Sequence, residues 1–110
     1  MNALRELKFV VEGQIVSADP ECDFSNLIPG TDGYLQASFS FSKEWCGCVK
    51  AVGFWANNEE CPAQLLEDGK TCIIPPEALK GRRFTIGVYG RGHQVRLATN
   101  KITITQDGGM

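Results

Sequence analysis

Hydrophobic and polar positions alternate with period two along much of this chain, and that alternation defines its strands. Residues 34–41 are the clearest case: Leu35, Ala37, Phe39 and Phe41 fall on one side, Gln36, Ser38 and Ser40 on the other. Residues 7–16 open in the same way, with Leu7, Phe9 and Val11 set against Lys8 and Glu12. Gly13 reads there as a bulge or bend before Gln14, Ile15 and Val16 continue the strand. Residues 83–89 turn Phe84, Ile86 and Val88 inward, and Gly90-Arg91-Gly92-His93 reads as the turn that leads back through 95–97. Residues 101–105 alternate Ile102 and Ile104 with threonines. Residues 49–56 barely alternate, which predicts a strand covered on both faces with Trp55 in the core.

The stretches between are rich in turn chemistry. Residues 19–33 form a long loop marked by Asp19-Pro20, Pro29-Gly30 and Asp32-Gly33, with Phe24, Leu27 and Ile28 expected to pin it to the core. Asn57-Asn58-Glu59-Glu60 reads as a turn, and residues 62–66 and 70–74 as a hairpin about Asp68-Gly69. Pro75 and Pro76 would break a ladder, whereas one helical turn over 76–79 suits a proline at its first position. Turn signals recurring about every 8–12 residues predict an all-β fold: an immunoglobulin-like antiparallel β-sandwich of seven or eight strands. A small barrel is the alternative. The expected organisation is one domain over 1–110, with a frayed tail from 106 to 110.

Composition narrows the function classes. A hydrophobic share of 43% and a charged share of 22% are those of a soluble globular chain. No apolar run reaches the roughly 18 residues of a spanning helix, and the N-terminus lacks the apolar core of a secretion signal. Synthesis in a cytosol, away from membranes, is the expectation. Cys22, Cys46, Cys48, Cys61 and Cys72 then read as reduced thiols behaving as small apolar groups. A zinc site drawn from Cys46, Cys48, Cys61, Cys72 and His93 would lack the paired spacing of zinc knuckles. A disulfide from Cys46 to Cys61 or Cys72 is the alternative for an oxidising location. No metal and no cofactor is called for.

Charge is distributed unevenly. Six of the 11 basic residues (Lys80, Arg82, Arg83, Arg91, Arg96 and Lys101), and none of the 13 acidic ones, lie between residues 80 and 101. No catalytic signature competes with this feature. His93 is the sole histidine and sits in a glycine turn with no carboxylate in that stretch to orient it. The glycines at 87, 90 and 92 are followed by no Lys-Ser/Thr pair and no helix, unlike a phosphate loop. By alternation, Arg83 and Arg96 point away from the core, which would gather Arg82, Arg83, Arg91 and Arg96 with Tyr89 and His93 into one positive patch. A solvated strand face, guarded against edge pairing, is the plain alternative. The preponderance of arginine favours fixed carboxylate or phosphate partners. Nucleic acid is disfavoured by the acidic balance of the whole chain; a protein partner, or another copy of this chain, fits better. Trp45 is expected to plug one end of the sandwich, with display to a sugar as the alternative.

Phe39-Ser-Phe-Ser-Lys-Glu-Trp45, Gly47, Val49-Lys-Ala, Leu65-Leu66, Ile74-Pro-Pro-Glu-Ala-Leu79, Ile86-Gly-Val-Tyr-Gly90 and Thr99-Asn100 resemble, in order and spacing, a pattern of tailed-bacteriophage and prophage structural proteins. The similarity runs from about residue 34 to the C-terminus. Many such proteins carry Asp after the tryptophan, where this chain has Cys46. The resemblance implies a virion β-domain of the tail or baseplate type, without catalysis, made in the bacterial cytoplasm and docked on other virion subunits. A phage-encoded inhibitor of a host or defence protein and a carbohydrate-binding module are the alternatives from other classes.

Overall fold

Ten strands are present among residues 4–107, which the computed structural model describes: Arg5–Glu12 (β1), Ile15–Ala18 (β2), Leu35–Phe41 (β3), Val49–Ala56 (β4), Glu59–Glu60 (β5), Gln64–Leu65 (β6), Thr71–Ile73 (β7), Arg83–Gly92 (β8), Val95–Ala98 (β9) and Ile102–Thr105 (β10). Single 3-10 turns at Lys43–Trp45 and Pro76–Leu79 complete the set, the second with its proline at the first position. The first sheet runs β2-β1-β3-β7. The second runs β10-β8-β4-β5, with β9 also on β8 and β6 also on β4. The protein is an all-β, two-sheet sandwich. Its strand count exceeds the expected seven or eight because residues 7–16 form two strands and the expected turn at 57–60 contains the two-residue β5.

Alternation builds the core as the sequence implies. Leu7, Phe9 and Val11 of β1, Leu35, Ala37 and Phe39 of β3, Val52 and Phe54 of β4, and Phe84, Ile86 and Val88 of β8 are all buried. Phe9 stacks on Phe39 at 5.2 Å, and the series continues through half-buried Phe41 to Trp45 at the end of the sandwich. Aromatic contacts of this kind add about 0.5–1.5 kcal/mol each beyond area burial.

Several local expectations are corrected. Gly13 does not bend one continuous strand: at φ +56 it opens the turn of a β1–β2 hairpin, in which Glu12 pairs with Ile15. One strand pair is parallel: Leu7 lies beside Ala37 and Phe9 beside Phe39. A parallel neighbour needs a long crossover, and the loop before β3 supplies it. Buried Leu27 and half-buried Phe24, the latter edge-on to Phe9 at 5.5 Å, hold that loop, and Arg5 donates to the carbonyls of Asp23, Ser25 and Asn26. Ile28 is exposed and pins nothing.

Residues 62–74 are not a hairpin. β6 pairs with β4 and β7 with β3, so the turn at Asp68-Gly69 carries the chain from one sheet to the other. Asp68 fixes that crossing by accepting from the Thr71 hydroxyl and from the Thr71 and Lys70 amides. These bonds, the Thr71 hydroxyl first, hold its carboxyl down at about 2. The C-terminal hairpin turns later than expected, at His93-Gln94 with Gln94 left-handed, because Arg91 and Gly92 still pair with Arg96 and Val95. Gln106, assigned to a frayed tail, is 2% exposed and donates from its side chain to the Leu79 and Gly81 carbonyls. Residues 108–110 of that tail lie outside the described residues.

Candidate functional site

The first sheet presents outward Glu6, Lys8, Val10 and Glu12 from β1 and Gln36, Ser38 and Ser40 from β3, with Ile15 and Ile73 exposed beside Glu12 and Gln36, a mixed surface. The outward positions of the second fall into rows set by strand register. One row is Val49, Arg91 and Arg96; the next is Leu65, Ala51, Tyr89 and Ala98. Gly53 and Gly87 then face each other, followed by Glu60, Trp55, Thr85 and Thr103. Val49 is 65% exposed, Leu65 54% and Tyr89 40%. Water therefore meets an apolar and aromatic surface here.

The glycine pair explains how aromatics lie on that surface. A Cβ on Gly53 would stand 2.7 Å from the Trp55 ring and 3.1 Å from that of Tyr89; one on Gly87 would meet Lys101 at 3.3 Å. Without these side chains the Trp55 ring settles onto the sheet, edge-on to Tyr89 at 6.5 Å, with the Lys101 ammonium 4.2 Å from its centre. Trp55 thus belongs to the outer face, not the core. Trp45 takes the buried role: it is fully enclosed, and its indole N–H donates to the Gly13 carbonyl at 2.7 Å. That removes Trp45 as a sugar-displaying side chain.

The predicted basic patch is two clusters. Arg83, Tyr89, Arg91 and Arg96 do share the outer face of the second sheet, but Arg83 and Arg91 stand eight positions apart on β8. At about 3.3 Å per residue this separates them by roughly 26 Å. Exposed Arg82 and Arg83 lie at the start of β8, where Arg83 lines a hollow of about 590 Å³ with Trp55, Thr85 and Lys101. Arg91 and Arg96 lie at the other end, directly opposite each other, beside exposed His93 at the hairpin tip. Together with Val49, Ala51, Tyr89 and Ala98 they line a groove of about 570 Å³. Arg5 is the one arginine whose guanidinium the chain itself engages among the described residues. Val49, Ala51, Leu65 and Ala98 were missed by sequence reasoning; for Val49 and Ala51 the signal is the run 49–56, whose odd positions share one face.

The thiols are dispersed and unpaired. Cys46 is exposed, whereas Cys61 and Cys72 are buried; burial, then the Asp68 charge, pushes Cys72 up to about 12. Burial also raises Cys61, with Glu77 and Glu59 adding to it. Among the described residues no three His, Cys, Asp or Glu side chains converge as a metal site would require, and no helix is long and apolar enough to cross a membrane. No protein-family model, curated protein or solved structure matches the chain.

Proposed function

We propose that this chain is a non-enzymatic structural domain of a tailed-bacteriophage particle, docked on other virion subunits through the outer face of its second sheet at the β8–β9 hairpin. One observation carries the docking role. Arg91 and Arg96 face each other across the hairpin beside exposed Val49 and Tyr89. Like charges directly opposite on neighbouring strands cost stability, and an exposed apolar row costs solubility. A surface that combines both is relieved by a partner that neutralises the charges and covers the row. The particle assignment is supported by the ordered motifs from Phe39 to Asn100.

The test is the double variant Arg91→Glu/Arg96→Glu in a producing phage. Mass spectrometry of purified wild-type particles should find the chain in stoichiometric amount. The double variant should be missing from particles although its thermal midpoint stays within about 2 °C of wild type, since the substituted groups are exposed and repel each other as before. Trace amounts in wild-type particles would reject the virion role; normal incorporation of the variant would reject the docking surface.

A further inference from the structure

We infer that the groove at the β8–β9 hairpin receives an extended, acidic peptide segment of a protein partner, one carboxylate seated between Arg91 and Arg96 and an apolar side chain over Tyr89. This rests on the docking role proposed for the same hairpin and adds the chemistry of the occupant. Two guanidinium groups in register, with Cβ atoms about 5 Å apart, offer a set of N–H donors matched to a planar carboxylate. The row immediately behind them is apolar: Ala51, Tyr89 and Ala98 span three strands, with Leu65 on a fourth. Three strands at about 4.8 Å spacing make a track of roughly 10 Å, the length of three extended residues.

Polyphosphate partners share the affinity for arginine but not the rest of the site. A nucleic-acid backbone needs cations along its path, whereas Arg83 lies about 26 Å along β8 from Arg91 and Lys101, beside Gly87, lies about halfway between them, with the Trp55–Tyr89 pair on the same face. Lys101 is moreover drawn over the Trp55 ring. The net charge of −2 opposes a long polyanion as well. A second copy of this chain offers Glu59-Glu60 and Glu67-Asp68, but the first pair lies on the two-residue β5 held against β4 and the second at a tight turn whose Asp68 is engaged by Lys70 and Thr71.

Titration of the full chain, followed by two-dimensional 1H–15N NMR with the arginine side-chain Nε–H signals observed, reads this directly. The probes are a decapeptide with a Glu-Thr-Val-Glu core, its Lys-Thr-Val-Lys counterpart and a twelve-residue oligothymidylate. The acidic peptide should shift the amides of Val49, Ala51, Tyr89 and Ala98 and the Nε–H signals of Arg91 and Arg96, with little effect elsewhere. Arg91→Glu/Arg96→Glu should weaken it at least tenfold, and Tyr89→Ala severalfold with the arginine shifts retained. Equal or stronger shifts from oligothymidylate or the lysine peptide, or no response at these residues, overturn the inference. Stoichiometric presence in particles combined with a silent groove would sink this inference alone; a responsive groove in a chain missing from particles would sink the virion role alone.

Discussion

Replacing Gly90 with alanine should destabilise the sandwich far more than the same change on its open face. Gly90 sits on the inward side of β8, in register with Lys50 and Leu97. An added Cβ would stand 2.6 and 2.7 Å from two carbons of the Trp45 ring, against the 3.5–4.0 Å of ordinary carbon contact. The ring has nowhere to retreat. It is fully buried, packs on Phe41 at 5.3 Å and is tied to the Gly13 carbonyl through its indole N–H. Overpacking costs about 1–3 kcal/mol, and a displaced indole forfeits a hydrogen bond of about 0.5–1.5 kcal/mol. The stiffer unfolded chain returns about 0.4–1 kcal/mol. A net loss of about 0.5–4 kcal/mol remains, a drop of at least roughly 2 °C in thermal midpoint for a domain of this size. Gly53→Ala is the control, because the clashing Trp55 is only half-buried and can swing toward solvent. Thermal unfolding followed by circular dichroism decides the matter. A midpoint for Gly90→Ala within about 1 °C of wild type, or above that of Gly53→Ala, would refute the role given to the Trp45 plug.

Three further outcomes follow from the geometry. Arg96→Glu alone should replace a cross-strand repulsion by an attraction worth about 0.2–1 kcal/mol, raising the midpoint by roughly 1–8 °C while impairing docking; a lower midpoint would show that the two guanidinium groups do not oppose each other. Because the Asp68 carboxyl is depressed from 3.8 to about 2 in the fold, its stabilisation is whole above pH 4 and is lost as pH falls toward 2. Urea midpoints at pH 7, 4 and 2 should therefore decline less for Asp68→Asn than for wild type, and parallel declines would contradict the turn's role. In iodoacetamide labelling at pH 8 read by mass spectrometry, Cys46 should react first, and Cys61 and Cys72 only once urea unfolds the chain.

How much of this was written in the sequence depended on which signals were local. Alternation in 35–41 and 84–88 is a property of neighbouring residues, and it placed those side chains in the core. Turn dipeptides are also local, but they do not say which sheet the chain enters next. Asp68-Gly69 was therefore found as a turn, while its two arms were wrongly paired with each other. Gly13 was ambiguous in the same way, since a bulge and a hairpin turn make one demand on φ. Arg83 and Arg96 were correctly assigned outward by parity. The separation of the basic residues into two clusters was also legible, since positions 83 and 91 of one strand must lie far apart; setting the turn at Gly90 concealed it. Trp55 was misplaced because an apolar run looks alike whether its outer face meets protein or water. The glycine opposite Gly53 is a pairing fact and appears only with the register.

Gln14 and Asn100 have a consequence for how the chain reaches its final form. The Gln14 side chain donates to the Ala98 carbonyl, the Asn100 amide to the Gln14 carbonyl, and the Asn100 side chain accepts from the Val16 amide. The β1–β2 hairpin is thus latched to residues 84 positions further along the chain, and its parallel neighbour arrives only after the crossover. Such distant pairings slow folding toward milliseconds to seconds. Until Asn100 emerges, the nascent chain carries the β1–β2 hairpin without its clasp, an interval in which chaperones can act.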